Sequence, residues 1–527
     1  MQHILLHFAN YSPSVYEMAM LQWLKESYKP FMLFAFIFMT LLIKLIFIDK
    51  SRKRRSNLPP GPSTIPFIGN LHQLGTMPHL SLQSLTDKYG PLIFLQLGQI
   101  PTVVVSSARL AKEVLKTHDL ALASRPQLFS AKYLFYNCTD IVFAPYDAYW
   151  RHVRKICILE LLSAKRVNSY SVVREEEVTN LVHRIEVSYP GTTNLSKILG
   201  LYANNVVCRI AFGRDFTEGG ESKKYGFQKM LDEYQELLGG FSVGDFFPSL
   251  EFIHSLTGMK ARLEDTSRKF DQLIDQIVNE HKACNKIKEH KDLVDILLEV
   301  QMNDLGELPL TIDNIKAIIL DMFAAGTDTT FITLDWAMTE LVMNPRVMEK
   351  AQKEVRSILG ERRVVAESDL HQLQYMRAVI KEIFRLHPAV PVLVPRESME
   401  DITLEGYIIP AKTRFFVNAW AIGRSPESWE DPTAFKPERF LESNVDYKGQ
   451  DFELIPFGAG RRGCPAITFA IAVVELALAQ LLYSFDWELP PSVSAEDLDL
   501  TEVFGISMHR RENLLVVAKP YTFYEDS

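Results

Sequence analysis

Apolar and polar positions recur with helical spacing through much of residues 108–390, and shorter alternating runs lie on either side of that stretch. Between Pro91 and Ser107 the runs Leu-Ile-Phe-Leu-Gln-Leu and Thr-Val-Val-Val-Ser flank Gly98 and predict a strand pair. Strand-like runs return from Ile402 to Ala421, with turns at Glu405-Gly406 and Pro410-Ala411. Two helical stretches, Ile315 to Met343 and Ala466 to Leu481, are apolar on nearly every face, the mark of a buried helix. Thr311 offers the first an N-cap, and Asn344-Pro345 ends it. Within it, Ala324-Ala-Gly-Thr-Asp-Thr-Thr330 interrupts the apolar pattern. Gly326 weakens the helix by about 1 kcal/mol relative to alanine, and adjacent threonines bond back to carbonyls and bend a helix. The segment therefore predicts a breach with room for a ligand or water, or else an ordinary polar face. The pattern as a whole predicts a mainly α fold with minor β sheets near both ends of the domain.

A third apolar run, Phe31 to Ile48, contains a single charge, Lys44. About 18 such residues are just enough to cross a bilayer, and a lysine near one end snorkels to the interface. Lys50, Arg52, Lys53, Arg54 and Arg55 follow at once and place the C-terminal side in the cytoplasm. A cleaved signal peptide would need a basic start and a small-residue cleavage site, and neither is present. Leu58-Pro-Pro-Gly-Pro62 reads as a stiff spacer. The expected organisation is a lumenal leader over 1–30, a transmembrane anchor over 31–48, a basic segment and proline-rich hinge over 49–62, and a catalytic domain over 63–527. Met18 and Met20 are alternative starts, and Asn10-Tyr-Ser12 is a glycosylation sequon facing the lumen.

Composition narrows the function. The chain has 527 residues, 47% hydrophobic and 23% charged, enough for a large core, with no linker-like segment after residue 62. A formal net charge of −8 argues against general nucleic-acid binding. Cys138, Cys157, Cys208, Cys284 and Cys464 are odd in number and contain no C-x-x-C pair. That argues against a disulfide framework or zinc site and fits a reducing compartment.

The most informative cysteine closes the stretch Phe457-Gly-Ala-Gly-Arg-Arg-Gly-Cys464, immediately before an apolar helix. A thiol beside a helix N-terminus is favoured as thiolate by free backbone N–H groups. A buried thiolate acting as sole protein ligand suits a haem iron and favours O–O cleavage. Arg462 supplies a fixed positive fork for a carboxylate such as a haem propionate. Gly458 to Gly463 also spells G-x-G-x-x-G. The dinucleotide reading fails because Pro456 breaks the preceding run and the nearest downstream acid, Glu475, falls inside the apolar helix.

At these residues the chain resembles the plant microsomal cytochrome P-450 haem-thiolate monooxygenases, whose loop reads Phe-x-x-Gly-x-Arg-x-Cys-x-Gly. Every position matches except the last, where Ala466 stands for glycine. The resemblance runs from Leu58 to about Tyr524, and it implies the cytochrome P-450 fold with an N-terminal transmembrane helix, binding haem b through Cys464. Four further constellations accompany the loop. Trp150 and Arg154 share one helix face, and the resemblance implies that both donate to the haem propionates. Glu382 and Arg385, with Arg439 from Pro437-Glu-Arg439-Phe440, form a possible charge triad, or else surface pairs of small worth; the resemblance implies a structural lock near the cysteine loop. In the interrupted helix, Asp328 matches the proton-relay acid and Thr329 the hydroxyl beside bound oxygen. Ala389 to Arg396 is an apolar loop that matches a substrate-facing wall, with Arg396 as one more propionate contact.

The combined reading is a membrane-anchored haem-thiolate monooxygenase of the large plant A-type clan of specialised metabolism. Its partners are O2, an NADPH-dependent cytochrome reductase, a small apolar substrate and the endoplasmic reticulum membrane. The expected lining, Met322 to Ala325, Val390 to Pro395 and Phe504 to Met508, is apolar. The runs Val417 to Arg424 and Asp446 to Ile455 resemble those of terpenoid and alkaloid hydroxylases, and a terpenoid substrate is expected. Alkaloid or phenylpropanoid hydroxylation stays open. So do a haem-thiolate isomerase or dehydratase, and a silent membrane scaffold.

Overall fold

The computed structural model describes residues 57–214, 227–240, 242–283, 291–303, 308–362, 364–503 and 505–522, together with residues 32, 34 and 36–39. Those last are helical and exposed; the rest of the expected anchor lies outside the described residues. So do the basic cluster over 50–55, the Asn10 sequon, Met18, Met20, Cys284 and Phe504.

Two compact units divide the chain: residues 59–404 with 409–527, and residues 1–58 with Glu405–Ile408. In the smaller unit the Ile408 N–H donates to the Asn57 carbonyl at 2.9 Å, and Asn57 Nδ2 to the Gly406 carbonyl at 3.2 Å. The larger unit is mainly helical. The principal elements of its first half are α1 (Pro78–Tyr89), β1 (Leu92–Leu97), β2 (Ile100–Val105), α2 (Ala148–Ile156), α3 (Ser171–Glu186), β3 (Thr193–Asn194), α4 (Leu195–Phe212) and α5 (Met259–Ala283). Its second half carries α6 (Ile312–Met343), α7 (Pro345–Leu359), α8 (Gln374–Leu386), β4 (Arg396–Glu397), β5 (Arg414–Val417), α9 (Ile467–Ser484), β6 (Phe485–Glu488) and β7 (Leu515–Pro520).

The predicted strand pair is an antiparallel hairpin, with Leu92 opposite Val105 and Leu97 opposite Ile100. Gly98 makes its turn at φ +60°, where a Cβ would stand 2.5 Å from the Phe246 carbonyl oxygen, so only glycine fits. The hairpin extends to β5 by parallel pairing and then to β4, giving the order β1-β2-β5-β4. A smaller antiparallel sheet, β3-β7-β6, ties the C-terminal strand to the middle of the chain.

Helix α6 begins three residues before the predicted run. Thr311 Oγ1 accepts from the Asn314 N–H at 3.2 Å, and Asn314 Oδ1 accepts from the Thr311 N–H at 3.0 Å, a reciprocal cap that satisfies two orphan donors. Most of its apolar residues are buried, and it packs along α4 and α9. Both α6 and α9 are long and apolar enough to cross a bilayer, but both are core helices of this unit. The expected breach at Ala324–Thr330 is not there: α6 runs unbroken. Thr329 Oγ1 donates to the Ala325 carbonyl at 2.7 Å and Thr333 Oγ1 to the Thr329 carbonyl at 2.8 Å, so the hydroxyls are satisfied within the helix. Gly326 serves close packing, since a Cβ there would meet Val207 Cγ2 of α4 at 3.1 Å.

The Glu382–Arg385–Arg439 group is a buried lock, not a surface pair. Glu382 and Arg385 are both 0% exposed. Arg385 Nε and Nη2 each reach the Glu382 carboxylate at 2.7 Å, and Arg439 Nε adds a contact at 3.2 Å. The remaining Arg385 donors go to the carbonyls of Gly423, Pro432 and Ala434. This knits α8 to the segment that leads into the cysteine loop.

Candidate functional site

The loop before Cys464 folds back on itself. Gly458 and Gly460 sit at φ +67° and +69°, and a Cβ on Gly460 would lie 2.3 Å from the Leu115 carbonyl oxygen. The Cys464 N–H donates to the Phe457 carbonyl at 2.9 Å and closes the turn. The Ala466 N–H is directed at Cys464 Sγ at 3.4 Å, one residue before α9 starts. The helix-start environment expected for the thiol is therefore present. Burial nonetheless pushes the Cys464 thiol up, and the Ala466 N–H and the Arg154 guanidinium pull it back only in part.

Cys464 opens onto a cavity whose free volume, as swept by the centre of a water molecule, is ≈ 260 Å3. A single water needs roughly 10–15 Å3 by that measure, so the space suits a large group. Its lining is largely apolar. Met322, Ala325, Val390, Leu393 and Val394 line it as expected. Phe323, Ala324, Pro391, Val392 and Pro395 do not line it; the Phe323 ring lies in the core beside Phe212 and Phe270. The described part of the 504–508 segment stands behind the wall: the Met508 N–H donates to the Ala389 carbonyl at 2.9 Å, and Ser507 Oγ donates to Asp328 Oδ2. Thr329 faces the cavity and Asp328 sits one layer back. Burial raises the Asp328 carboxyl, with Ser507 and His509 opposing that shift.

Four guanidinium groups converge on the cavity: Arg125, Arg154, Arg396 and Arg462. Arg125, Arg396 and Arg462 are buried. Among the described residues, Arg396 alone of the four reaches a carboxylate, Asp119 at 2.9 Å, which Arg461 shares. Arg462 donates to the carbonyls of Ala123, Ile141 and Ala144, and Arg125 to those of Val142, Val394 and Pro395. Arg154 Nη2 donates to the Gly463 carbonyl. Burial lowers the proton affinity of all four, and repulsion among them adds to it for Arg125, Arg154 and Arg462; Arg462 is pushed down to about 9. Such a cluster is short of negative charge, and together with Cys464 in the same cavity it fits a group that brings paired carboxylates, as haem would.

The structure brings Arg154, Arg396, Arg462, Cys464 and Thr329 to one cavity, as the sequence predicts. Trp150 stands just behind. Its indole N–H, assigned to a propionate by the resemblance, donates to the Ile141 carbonyl at 2.9 Å, while its ring carries the Arg462 guanidinium at 4.0 Å. Arg125 escaped sequence reasoning. It lies alone in Leu120-Ala-Leu-Ala-Ser-Arg125-Pro, with no spacing that ties it to the cysteine loop more than three hundred residues on; its one signal is a charge in an otherwise apolar run.

Comparison with known proteins agrees with this geometry. The family model described as cytochrome P-450 matches residues 59–517. Cytochrome P-450 71AP13 of Prunus mume is 72% identical over 95% of this chain and 98% of its own length. Premnaspirodiene oxygenase of Hyoscyamus muticus is 47% identical over 92% of this chain and 97% of its own. Strychnine-11-hydroxylase of Strychnos nux-vomica is 46% identical over 93% and 97%.

Proposed function

Because the chain belongs to the cytochrome P-450 family, as a member of its plant A-type clan, we propose that it hydroxylates a small apolar specialised metabolite, a terpenoid, in the cavity over Cys464. The enzyme is a monooxygenase with haem b as cofactor, O2 as co-substrate and a reductase as redox partner. Haem, when bound, supplies the oxygen activation and C–H oxidation; the chain supplies ligation, charge balance, positioning and protons. Cys464 is the protein ligand. Arg125, Arg154, Arg396 and Arg462 take the propionates, with Trp150 steadying Arg462. The apolar wall of Met322, Val390, Leu393 and Val394 excludes water and offers no charge to a polar substrate. That wall carries the terpenoid reading. Relatives named for premnaspirodiene and for strychnine support both terpenoid and alkaloid chemistry as the clan's range.

Thr329 and Asp328 form the proton route in this reading. Burial raises the Asp328 carboxyl, Ser507 holds its orientation, and Thr329 lines the cavity with a hydroxyl that donates to the Ala325 carbonyl and turns to serve the route. Groups used only after oxygen binds leave substrate affinity intact. Purified enzyme with reductase, NADPH and a panel of terpenes and alkaloids is expected to consume NADPH and form hydroxylated terpene. Thr329→Ala keeps the haem spectrum and substrate affinity but releases peroxide in place of product. Asp328→Asn slows turnover by about 100-fold with an altered solvent isotope effect. Wild-type coupling in both variants contradicts the relay. Haem-loaded protein that consumes no NADPH with any substrate contradicts the hydroxylase reading and favours an isomerase or scaffold.

The segment 31–48 is read as a single-pass anchor in the endoplasmic reticulum, with the basic cluster over 50–55 holding the catalytic domain in the cytosol. Protease added to intact microsomes is expected to digest that domain, and complete protection would reverse the topology.

A further inference from the structure

The proton route leaves a second pair of buried acids unused. Asp140, in the loop before α2, is 0% exposed, and Asp321, two turns before Asp328 on α6, is 2% exposed. Their outer oxygens hold three consecutive loop amides. Asp321 Oδ2 accepts from the Ile141 N–H at 2.6 Å, and Asp140 Oδ2 accepts from Val142 at 3.1 Å and Phe143 at 2.8 Å. The inner oxygens, Asp140 Oδ1 and Asp321 Oδ1, are buried and accept from no donor. The two carboxyls are near enough for each to bear on the other's proton, and both hold the same short loop. Two carboxylates meeting out of water repel; one proton between them satisfies both inner oxygens at once.

We infer that Asp140 and Asp321 share a single proton, and that this acid pair is a positioning device which fixes residues 141–143 as a wall of the cavity. Three further observations support it. Ile141, Val142 and Asp321 all line the cavity. The chain enters the loop through Tyr136, Asn137 and Cys138, at φ +48°, +60° and +56°, a left-handed run of side-chain-bearing residues whose conformational cost the hydrogen bonds of this loop offset. The Ile141 carbonyl accepts from both Trp150 and Arg462, so the loop joins the acid pair to the arginine cluster. Burial and the neighbouring carboxyl raise Asp321, while Asp140 is raised to about 6, which agrees with one retained proton at neutral pH. Tyr149, Cys157, Tyr234 and Cys138 face the pair and are themselves raised, so they stay neutral there; Arg125 and Arg462 supply the nearby positive charge.

The inference holds whatever the substrate is. Wild-type-minus-variant infrared difference spectra of the holoenzyme at pH 7 are expected to show the loss of one protonated carboxylic C=O stretch in D321N and the same loss in D140N, apart from any band that Asp328 contributes to all three proteins. Hydrogen exchange at residues 141–143 is expected to stay near wild type in D321N, whose amide donates to the Asp140 carboxylate. In D321A it is expected to rise by about tenfold or more, as fits loss of hydrogen bonds to a charged acceptor. No difference band in either asparagine variant overturns the shared proton. Unchanged exchange in D321A overturns the positioning role. If D321A does not fold, the infrared comparison, which uses only near-isosteric variants, still decides the first point, and exchange in D140A decides the second.

Discussion

Cys464→Ser abolishes the thiolate-type absorption of the reduced carbon-monoxide complex and lowers turnover by more than the ~100-fold at which changes to a ligand's supporting groups usually stop. The reason is that a serine hydroxyl stays protonated where a thiol can ionise. The loop itself should survive, because its closing bond uses the residue 464 backbone N–H, and the left-handed turns belong to Gly458 and Gly460. The variant is therefore expected to fold and to keep the arginine cluster. Arg462→Ala is the contrasting case: haem occupancy of the purified protein falls, while the fraction that is loaded keeps the thiolate-type spectrum. A thiolate-type band in Cys464→Ser, or full occupancy in Arg462→Ala together with Arg125→Ala, would show that iron ligation and charge balance lie elsewhere.

Arg385→Ala destabilises the protein by about 3–5 kcal/mol, the loss expected when one partner of a buried ion pair is removed and the other is left uncompensated. The Glu382 carboxylate would keep only Arg439 and the Lys436 N–H, and the carbonyls of Gly423, Pro432 and Ala434 would lose their Arg385 donors. Each is a named cost of desolvation without a partner. Denaturant titration of the haem-loaded protein measures it, and a change under about 1 kcal/mol would place this triad among ordinary surface pairs.

Local signals carried much of this fold. The Gly98 hairpin, the Thr311 cap and the Asn344-Pro345 stop are written in neighbouring residues, and each stands where its residues predict. The cysteine loop was legible for the same reason: Arg462, Cys464 and the helix that follows are adjacent in the chain. Gly326 misled because its reason is not local. Weak helix propensity predicts a breach, but close packing against Val207, brought in by α4, keeps the helix whole. Arg125 and the Asp140–Asp321 pair were illegible for that reason too. The two acids are far apart in the chain, and only the fold sets one carboxyl against the other. Trp150 was placed on the correct face, but its hydrogen bond depends on where the Ile141 carbonyl ends up, which no spacing rule gives.

The crowding of Arg125, Arg154, Arg396 and Arg462 also bears on how long the chain survives in a cell. Before the cofactor arrives, these groups weaken the native state by repelling one another in a poorly hydrated space. A molecule that binds only the folded form and brings two carboxylates removes that penalty and draws the population towards the native side by mass action. On the proposed propionate contacts, haem is a folding counter-ion as well as a reagent. When haem is scarce, a larger share of the chains is then expected to open and meet proteases, so the level of this protein is expected to rise and fall with haem supply.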